Sequence, residues 1–572
     1  MACIAGALTW AQFRGFDPLD GGYYFLLYQD PADNPDTHTR FNLLARPIWL
    51  FCRQDIVAFR ITCLLIASGV CWIFWRAFRR LLCGSASFDT SPWALWLATI
   101  AGLTWVPVAL TYNSLATLLG LVGVSLLLAL GDTVKYPALF SLRSALLLSA
   151  LATMTVLIFF AKPPAAAAFV GISFVLLRFS GHCSRWQRRS FDIFALLFFL
   201  AATAAVCVAI SHPEFGKRTY IHINGIILNP AWIRETLVRY VRELAQILPS
   251  FGEDLFWTGA PIVIACSSVL FRGSRRIIEL SLELLLISVF AALVYRRLWD
   301  GSFSAAVTGE AARYYFLLIF TLVPLWAVTR YVHSAVPAAA VLTGRGKWIF
   351  IFLILPFISS LGSTNTLFVA ALHSTVFWAA GLLLLADQIS TMLMVPWFRS
   401  AVAGLLCIGA AGHVFSGHFL KPYMYQSSLW RQTAAVEVGI PPTRLKVDPQ
   451  FAQFLESART KLENAGFKHG DDIFGFFNLP GLVFALGARE PGAPWYFGTW
   501  YHQDDTDGGK LRLVPLERRQ RAWILTQADV TQFRLEFLQS GINFPDGYVK
   551  IGEETNPYTG LIIGIWKPAI RN

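Results

Sequence analysis

The sequence predicts a polytopic α-helical membrane protein, with about 12–13 transmembrane helices, that ends in a soluble α/β or α+β domain. Of the 572 residues, 55% are hydrophobic and 14% are charged, whereas soluble proteins typically carry about 25% charged residues. The apolar excess lies before about residue 418, and an ordinary soluble composition follows. We therefore expect a transmembrane domain over 1–418, with long loops at 14–54 and 212–254, and a soluble domain over 419–572.

Twelve apolar runs have roughly the length of about 20 residues that crosses a bilayer. They cover residues 56–75, 91–111, 114–131, 142–160, 163–178, 191–211, 255–271, 277–295, 313–330, 347–361, 365–386 and 399–416. Residues 1–13 are also apolar but too short to span, and they lack the features of a signal peptide. Either the true start lies upstream, which gives a thirteenth span, or this segment inserts only partly.

The loops between the runs predict the orientation. Alternate loops contain Lys and Arg, whereas opposite turns such as 111–115 and 360–367 carry no charge. The positive-inside rule makes the basic set cytoplasmic. The first loop, the turn at Lys162, the segment 212–254 and the C-terminal domain then lie outside a bacterial inner (plasma) membrane. The net charge of +12 therefore reflects orientation and does not predict nucleic-acid binding.

The first loop contains the most distinctive polar sequence, DPLDGGYYFLLYQDP, over Asp17 to Pro31. Asp17 and Asp20 are three residues apart, so one helical turn would place them on the same face. The glycines at 21 and 22 allow close approach of a substrate to the backbone. Tyr23 and Tyr24 offer a stacking surface. The alternative is a solvated turn, because DP and DGG are common turn sequences.

Lys162 and Arg313 are predicted at the outer rim, where an anionic lipid headgroup would lie, and Lys217 and Arg218 in the long outer segment 212–254. Lys162 directly follows an apolar run and precedes two prolines, so its charge calls for a partner, and a phosphate is a natural one. The alternative for Lys162 and Arg313 is that they anchor helix ends by snorkelling.

The DPLDGGYY loop resembles the acidic first periplasmic loop of GT-C glycosyltransferases, which include protein O-mannosyltransferases and aminoarabinose transferases. The outer turns YNSL (112–115), AKPP (161–164) and LGSTN (361–365) are similar to those of bacterial members. The resemblance covers roughly residues 15–420. The sequence departs from the family pattern at Gly21, where an acid often stands, which puts in doubt any role that requires two adjacent carboxylates.

The resemblance implies an enzyme that transfers a sugar, with inversion, from a polyprenyl phosphate to a lipid, polysaccharide or protein hydroxyl outside the membrane. Asp20 would be the general base, with Asp17 as the alternate or an orienting acid. The donor-binding residues implied are Lys162, Arg313, Lys217, Arg218, Tyr23, Tyr24 and Asn113. Two acids could hold one divalent cation or none, and no His/Cys/Glu spacing suggests zinc.

Two other classes remain open. An oligosaccharide ligase or polymerase of the cell envelope would have a large external loop late in the chain, whereas here the long loop is central. A lipid-linked substrate transporter or flippase would show two similar halves with broken helices, and the sequence shows no such repeat.

The C-terminal domain is predicted from shorter patterns. Asp448 should cap a helix over 449–465, and a second helix should cover 530–540. Strand-like runs occur at 481–487, 495–501, 511–516, 522–526, 548–552 and 561–566. The segment 477–487 is expected to pack on the membrane domain, and 231–248 reads as an amphipathic interfacial helix.

Overall fold

The computed structural model describes residues 2–34, 39–82, 90–103, 109–133, 142–178, 310–333, 345–361, 367–422, 427–492, 510–527 and 534–569, with isolated positions between 193 and 288. In chain order the helices are α1 (Ala2–Ala11), α2 (Asp20–Gln29), α3 (Phe41–Phe51), α4 (Ile56–Phe78), α5 (Ser91–Ala101), α6 (Tyr112–Thr133), α7 (Leu142–Ala161), α8 (Pro163–Arg178), α9 (Glu310–His333), α10 (Arg345–Ser360), α11 (Leu367–Ala371), α12 (Thr375–Leu393), α13 (Trp397–Phe415), α14 (Pro449–Asn464), α15 (Pro480–Ala485), α16 (Leu516–Arg521) and α17 (Arg534–Gln539).

The helical membrane domain is confirmed where the structure describes it. Within these residues, helices occupy nine of the twelve predicted spans, while 191–211, 255–271 and 277–295 fall largely outside the description. Among the described residues, four helical stretches are long and apolar enough to cross a membrane: Ile56–Leu81, Tyr112–Leu130, Leu367–Leu393 and Trp397–Leu420. The chain is therefore a multi-pass membrane protein.

The first loop forms two short helices, α2 and α3, before the first long span. This span, α4, begins at Asp55, whose side chain accepts a hydrogen bond from the backbone N–H of Ala58 at 2.7 Å. Such a cap satisfies a backbone donor that the first helical turn leaves without a partner. Arg60 of α4 is buried and donates to the carbonyl oxygens of Gln12 and Gly15 at 3.2 and 3.1 Å. These bonds fix the start of the first loop on the first long span.

The tail (residues 419–572) contains a two-stranded hairpin and a four-stranded mixed sheet. The strands are β1 (Ala434–Val438), β2 (Thr443–Val447), β3 (Ile473–Phe476), β4 (Trp523–Thr526), β5 (Tyr548–Thr555) and β6 (Ile562–Pro568). β1 pairs with β2, and the larger sheet has the order β3-β4-β6-β5. β3 is parallel to β4, and β6 is antiparallel to both of its neighbours. β3, β4 and β5 therefore run in the same direction, and their carboxyl ends meet at one edge.

Two predictions about the tail are wrong. Most of residues 481–487, predicted as a strand, lies in helix α15 (Pro480–Ala485), and Leu479 and Pro480 provide the start of that helix. Residues 511–516 are not a strand either, because a turn there leads into α16. In both places a short apolar run was consistent with either structure, and neighbouring proline residues mark helix starts.

Other predictions about the tail are confirmed. Asp448 caps α14, accepting from the backbone N–H of Gln450 at 2.9 Å, and the strands at 523–526, 548–555 and 562–568 match the predicted runs. α17 forms within 530–540. The predicted strand at 495–501 lies outside the described residues. At the predicted interfacial helix 231–248, the positions that the structure describes are helical.

Candidate functional site

The acids of the first loop form a tight turn at the start of α2, here called the acid turn (Asp17 to Asp20). The carboxylate of Asp17 accepts from the backbone N–H groups of Leu19 and Gly21, both at 2.8 Å. Asp17 is almost fully buried, at 1% exposure, whereas Asp20 is half-buried in the first helical turn. Asp17 therefore lies beneath the helix start and orients it, while Asp20 is the more accessible acid. The alternative of a solvated turn is wrong for Asp17.

The two carboxyl groups differ electrostatically as well. Burial, and after it the neighbouring charge of Asp20, raise the pKa of Asp17 to about 8, although the hydrogen bonds from Leu19 and Gly21 act in the opposite direction. Near neutral pH the buried Asp17 therefore tends to keep a proton.

A backbone contact between two glycines holds the acid turn against the tail. A Cβ on Gly22 would lie 2.1 Å from the Cα of Gly481, and one on Gly481 would lie 2.0 Å from the carbonyl carbon of Pro18. Only glycine allows this close approach. Phe484 of α15 also stacks on Phe16, with ring centroids 6.0 Å apart. The segment 477–487 therefore packs on the first loop, as predicted.

Aromatic rings connect the acid turn with the N-terminal end of α6. The ring of Tyr24 contacts Phe41 with centroids 5.5 Å apart, and Phe41 contacts Tyr112 at 6.1 Å. The Tyr28 hydroxyl donates to the carbonyl of Leu110 at 2.9 Å. Tyr23 lies edge-on to Tyr24 at 5.3 Å. α2 is therefore locked onto the predicted outer turn that begins α6.

Lys162 connects the predicted outer turn at Asn113 with the end of α10. Its Nζ donates to Oδ1 of Asn113 at 2.8 Å and to the carbonyl oxygen of Ser359 at 2.5 Å. It also lies 5.7 Å from the centre of the Tyr112 ring. We call Lys162, Asn113 and Ser359 the lysine junction. Two of the three predicted turns, at 112–115 and 161–164, therefore meet at this cation, and Ser359 lies two residues before the third, at 361–365.

The lysine junction holds a buried cation among neutral groups. Lys162 is 2% exposed and lies in the turn between α7 and α8. Within the described part of the chain, no carboxylate lies within ion-pair distance of its Nζ. Burial lowers the pKa of Lys162 to about 7. An anion bound at this position would favour the charged form of Lys162 and would form an ion pair with it.

Two polar residues of the first loop escaped the sequence analysis. Arg40 is 7% exposed, and its backbone N–H donates to the carbonyl oxygen of Phe160 at 2.9 Å, two residues before Lys162. Burial lowers the pKa of Arg40. Asn42 is fully buried, and neither atom of its amide has a hydrogen-bond partner among the described residues. The useful signal was a polar RFN sequence within a loop that also contains the acids.

The remaining candidate cations are less well defined. Arg313 lies in the first helical turn of α9, at the predicted end of that span, and its side chain falls outside the description. Lys217 and Arg218 also lie outside the described residues. These three therefore stay predictions.

Residues of the predicted interfacial helix contact both ends of the predicted outer turn 360–367. The Glu243 carboxylate accepts from the backbone N–H of Leu367 at 2.6 Å, and the Tyr240 hydroxyl donates to the carbonyl of Ser360 at 3.4 Å. Ser360 follows Ser359 of the lysine junction. Val241 is exposed, as expected for a helix that faces lipid.

An arginine joins the tail to the first loop a second time. The guanidinium of Arg518 donates to both carboxylate oxygens of Asp33 at 2.8 and 2.9 Å and to both of Asp472 at 2.8 Å. Two bidentate pairs of this kind fix orientation as well as distance. The pKa of Arg518 is raised by its hydrogen bonds to Asp472 and Asp33.

No metal site is evident within the described ranges, where no three His, Cys, Asp or Glu side chains are grouped for a metal ion. The acid turn contains two carboxyl groups, and that of Asp17 is already bonded to two backbone N–H groups.

Comparison with known proteins gives distant structural likenesses. No protein-family model matches the chain, and no curated protein matches it. The chain is similar to ArnT from Cupriavidus metallidurans bound to undecaprenyl phosphate, with a TM-score of 0.44 and 11% identity over 99% of this chain and 97% of that one. It is also similar to the Archaeoglobus fulgidus oligosaccharyltransferase in complex with Zn and sulfate. That TM-score is 0.44, at 11% identity over 98% and 72% of the two chains. Likenesses this distant do not determine an activity, so we argue function from this chain's own residues.

Proposed function

We propose that the protein is a GT-C type glycosyltransferase that moves a sugar from a polyprenyl phosphate to an acceptor hydroxyl at the outer face of the membrane, with inversion. The observation that carries the proposal is the lysine junction, a buried cation surrounded by neutral groups at the end of a span. A lipid phosphate is the anion that would naturally reach that depth, since its chain lies in the bilayer.

The lysine junction can hold the leaving group. When the bond between the sugar and the phosphate breaks, negative charge develops on the phosphate oxygen. A preorganised cation in a dry site stabilises such charge more than it would in water. Lys162 is already positioned by Asn113 and Ser359, so no side-chain ordering is required at that moment. Arg40 is a second cation beside the same turn.

The acid turn can supply the base. We assign this role to Asp20, because Asp17 is buried and bonded to two backbone N–H groups. The acceptor oxygen attacks the anomeric carbon and its proton passes to the Asp20 carboxylate. The bond from that carbon to the phosphate oxygen breaks, and its electron pair stays with the polyprenyl phosphate. Attack opposite the leaving group inverts the anomeric centre.

Aromatic contacts between the acid turn and the lysine junction support the assignment of both to a single site. Tyr24, Phe41 and Tyr112 form a continuous set of ring contacts from α2 to the residue that precedes Asn113. Flat, apolar faces of this kind suit the ring of a sugar and the start of an isoprenoid chain. The tail closes over the acid turn through Gly481 and Phe484, which would exclude water from the reaction.

Sugar transfer by the full chain in nanodiscs tests the proposal. Wild type would be compared with Asp20→Asn, using a panel of polyprenyl-phosphate sugars and a membrane lipid extract. Asp30→Asn is the matched control, because Asp30 lies in the same loop, where it accepts from the backbone N–H of Ala32. We expect Asp20→Asn to lower kcat by about 10²–10⁴-fold, the usual contribution of a general base.

The control should stay within about threefold of wild type, since its side chain does no proton transfer in this scheme. Equal rates for wild type and Asp20→Asn would remove Asp20 from the mechanism. Movement of an intact donor lipid between leaflets, with no transfer to any acceptor, would instead identify a transporter.

A further inference from the structure

A cavity of about 320 Å³ lies between the acid turn and the tail. Pro18 and Leu19 of the acid turn form one wall, and residues of α14, α15 and the strand ends form the others. Its size falls within the range of about 300–1,000 Å³ that is typical of small-molecule sites. Because Leu19 lies directly before Asp20, a molecule in this cavity would lie beside the proposed base.

The sheet topology brings three amides to the wall of this cavity. Asn478 follows β3, Gln527 follows β4 and Asn556 follows β5. These three strands run in the same direction, so their carboxyl ends meet at one edge of the sheet. All three amides line the cavity. The carboxyl edge of a sheet is a frequent position for ligand sites in α/β folds.

The amides offer both donors and acceptors. Nδ2 of Asn556 donates to Oε1 of Gln527 at 3.3 Å, which keeps the two side chains together. Oδ1 of Asn478 is buried, and no donor among the described residues reaches it. A buried amide oxygen without a partner costs about 1–3 kcal/mol, so its retention calls for an explanation.

The backbone at this edge is strained. Phe477 and Asn478 have φ values of +67° and +63°, in the left-handed region that bulky residues rarely adopt. Asn tolerates this conformation better than most residues, whereas Phe does not. The strain is needed to turn the chain from β3 into α15 while the amide of Asn478 lines the cavity.

Aromatic rings complete the lining. Phe451 contacts Tyr558 with ring centroids 5.3 Å apart, and it contacts Phe454 at 6.1 Å. None of the residues that line the cavity carries a charge. Amides that bind hydroxyl groups, together with aromatic faces that pack on C–H groups, suit a neutral sugar. The absence of charge in this lining disfavours a phosphate or a carboxylate.

We propose that this cavity binds a neutral sugar residue of the acceptor and holds it beside the acid turn. The identification of that sugar as part of the acceptor rests on the proposed glycosyltransferase function, whereas binding of a neutral sugar does not. The acceptor is then a glycan or glycolipid, and its attacking hydroxyl belongs to a sugar that is already attached.

The test measures binding of single sugars to the full chain, with no polyprenyl donor present. Glucose, mannose, galactose and N-acetylglucosamine are supplied at millimolar concentration, and contact is recorded by saturation-transfer NMR. The protein is held in nanodiscs prepared without sugar-headed detergent, which would compete for the same cavity.

Two variants probe the cavity by different routes. Asn478→Gly removes the amide and keeps the positive φ, which glycine adopts without strain. Thr559→Trp fills the cavity from its exposed rim. Asn464→Gly is the matched control, because Asn464 is an exposed amide at the end of α14, outside the cavity lining.

We expect at least one sugar to bind wild type and the control equally, with binding at least tenfold weaker in both cavity variants. Failure of every sugar to bind, or equal binding by wild type and both cavity variants, would overturn the proposal. Loss of transfer in Asp20→Asn with sugar binding intact would leave both proposals standing. Sugar binding without any transfer would contradict the proposed function alone.

Discussion

The lysine junction and the acid turn are built in opposite ways. At the lysine junction, one cation is buried among neutral groups, and its hydrogen bonds to Asn113 and Ser359 hold it in place. At the acid turn, two carboxyl groups lie close together, and the deeper one is bonded to backbone N–H groups. The backbone of Gly481, in the tail, packs directly against the backbone of Pro18 in the acid turn.

The lysine junction therefore needs a bound anion to satisfy its charge, whereas the buried acid of the acid turn needs no ligand. A buried ammonium group with only neutral partners destabilises the folded protein until an anion binds beside it. The buried carboxyl group of Asp17 is bonded to two backbone N–H groups without any ligand, so its function is to fix geometry. Binding of the donor should therefore depend on the lysine junction, and the rate of transfer should depend on the acid turn.

The largest effect is expected from disturbing the acid turn through its backbone contact. Gly481→Ala would place a methyl group 2.0 Å from the Pro18 backbone, which cannot retreat as a flexible side chain would. We expect a loss of about 1–3 kcal/mol or more in stability, because overpacking has that cost. Transfer should fall with it. The measurement is the thermal midpoint of the purified protein together with its transfer rate.

Gly69→Ala is the matched control for this change. Nothing lies within 4 Å of a Cβ at Gly69, which is in the middle of α4. Alanine there should be neutral or slightly stabilising, since helices favour it over glycine. If Gly481→Ala behaved like this control, the close packing of the tail on the acid turn would be disproved.

Lys162→Met should separate stability from function at the lysine junction. Removal of the buried charge relieves its desolvation cost, but it also leaves the oxygens of Asn113 and Ser359 without their donor, which costs about 1–3 kcal/mol. We therefore expect the ligand-free variant to melt close to wild type. The same change should abolish stabilisation by undecaprenyl phosphate. Thermal melts with and without that lipid measure both effects. A lower melting point in both conditions would indicate that Lys162 is a structural residue.

Asp17→Asn should change how stability depends on pH. The pKa of Asp17 is raised to about 8 in the folded protein, above its ordinary value of about 4. A raised pKa means that its contribution is fully present below about pH 4 and is lost as the pH rises to about 8. Wild type should therefore lose stability between pH 5 and about pH 8 more steeply than Asp17→Asn.

Thermal midpoints at several pH values in that range provide the comparison, and Asp30→Asn should keep the slope of wild type. Identical slopes for Asp17→Asn and wild type would show that Asp17 is charged throughout.

The smallest effect is expected at Arg518, which joins the tail to the first loop. Arg518→Met removes its pairs with Asp33 and Asp472, but the side chain is partly exposed. We therefore expect a loss of only about 1 kcal/mol. Backbone amide hydrogen exchange should nevertheless become faster around Asp33 in the first loop and around Asp472 in the tail. Arg534→Met, which breaks an exposed pair with Asp546 within the tail, should leave the first loop unchanged.

Much of the fold could be predicted from the sequence because its signals are long. Apolar runs and alternating basic loops extend over many residues, so α4, α7 and α8 begin and end close to the predicted positions. The tail was harder to predict. Six apolar residues fit a strand or a helix equally well, and α15 is a helix because Pro480 begins it and the first loop packs against it.

The sequence indicates which residue types to consider as candidates for the site, but it does not indicate their arrangement. Asp20, Lys162 and Asn113 were selected separately, and their connection depends on contacts between turns far apart in the chain. Nothing in the local sequence shows that the Asp17 carboxylate bonds to N–H groups of α2. The cavity amides were missed because each follows a different strand, and only the sheet order brings them together.

Binding of undecaprenyl phosphate, with uncharged undecaprenol as the reference lipid, tests the division between the two ends most directly. Wild type and Asp20→Asn should prefer the phosphate lipid equally. Lys162→Met should lose that preference, by about 10–100-fold in Kd, because a hydrogen bond to a charged group contributes about 1.5–3 kcal/mol. An unchanged preference in Lys162→Met would contradict the assignment of the lysine junction as the phosphate site.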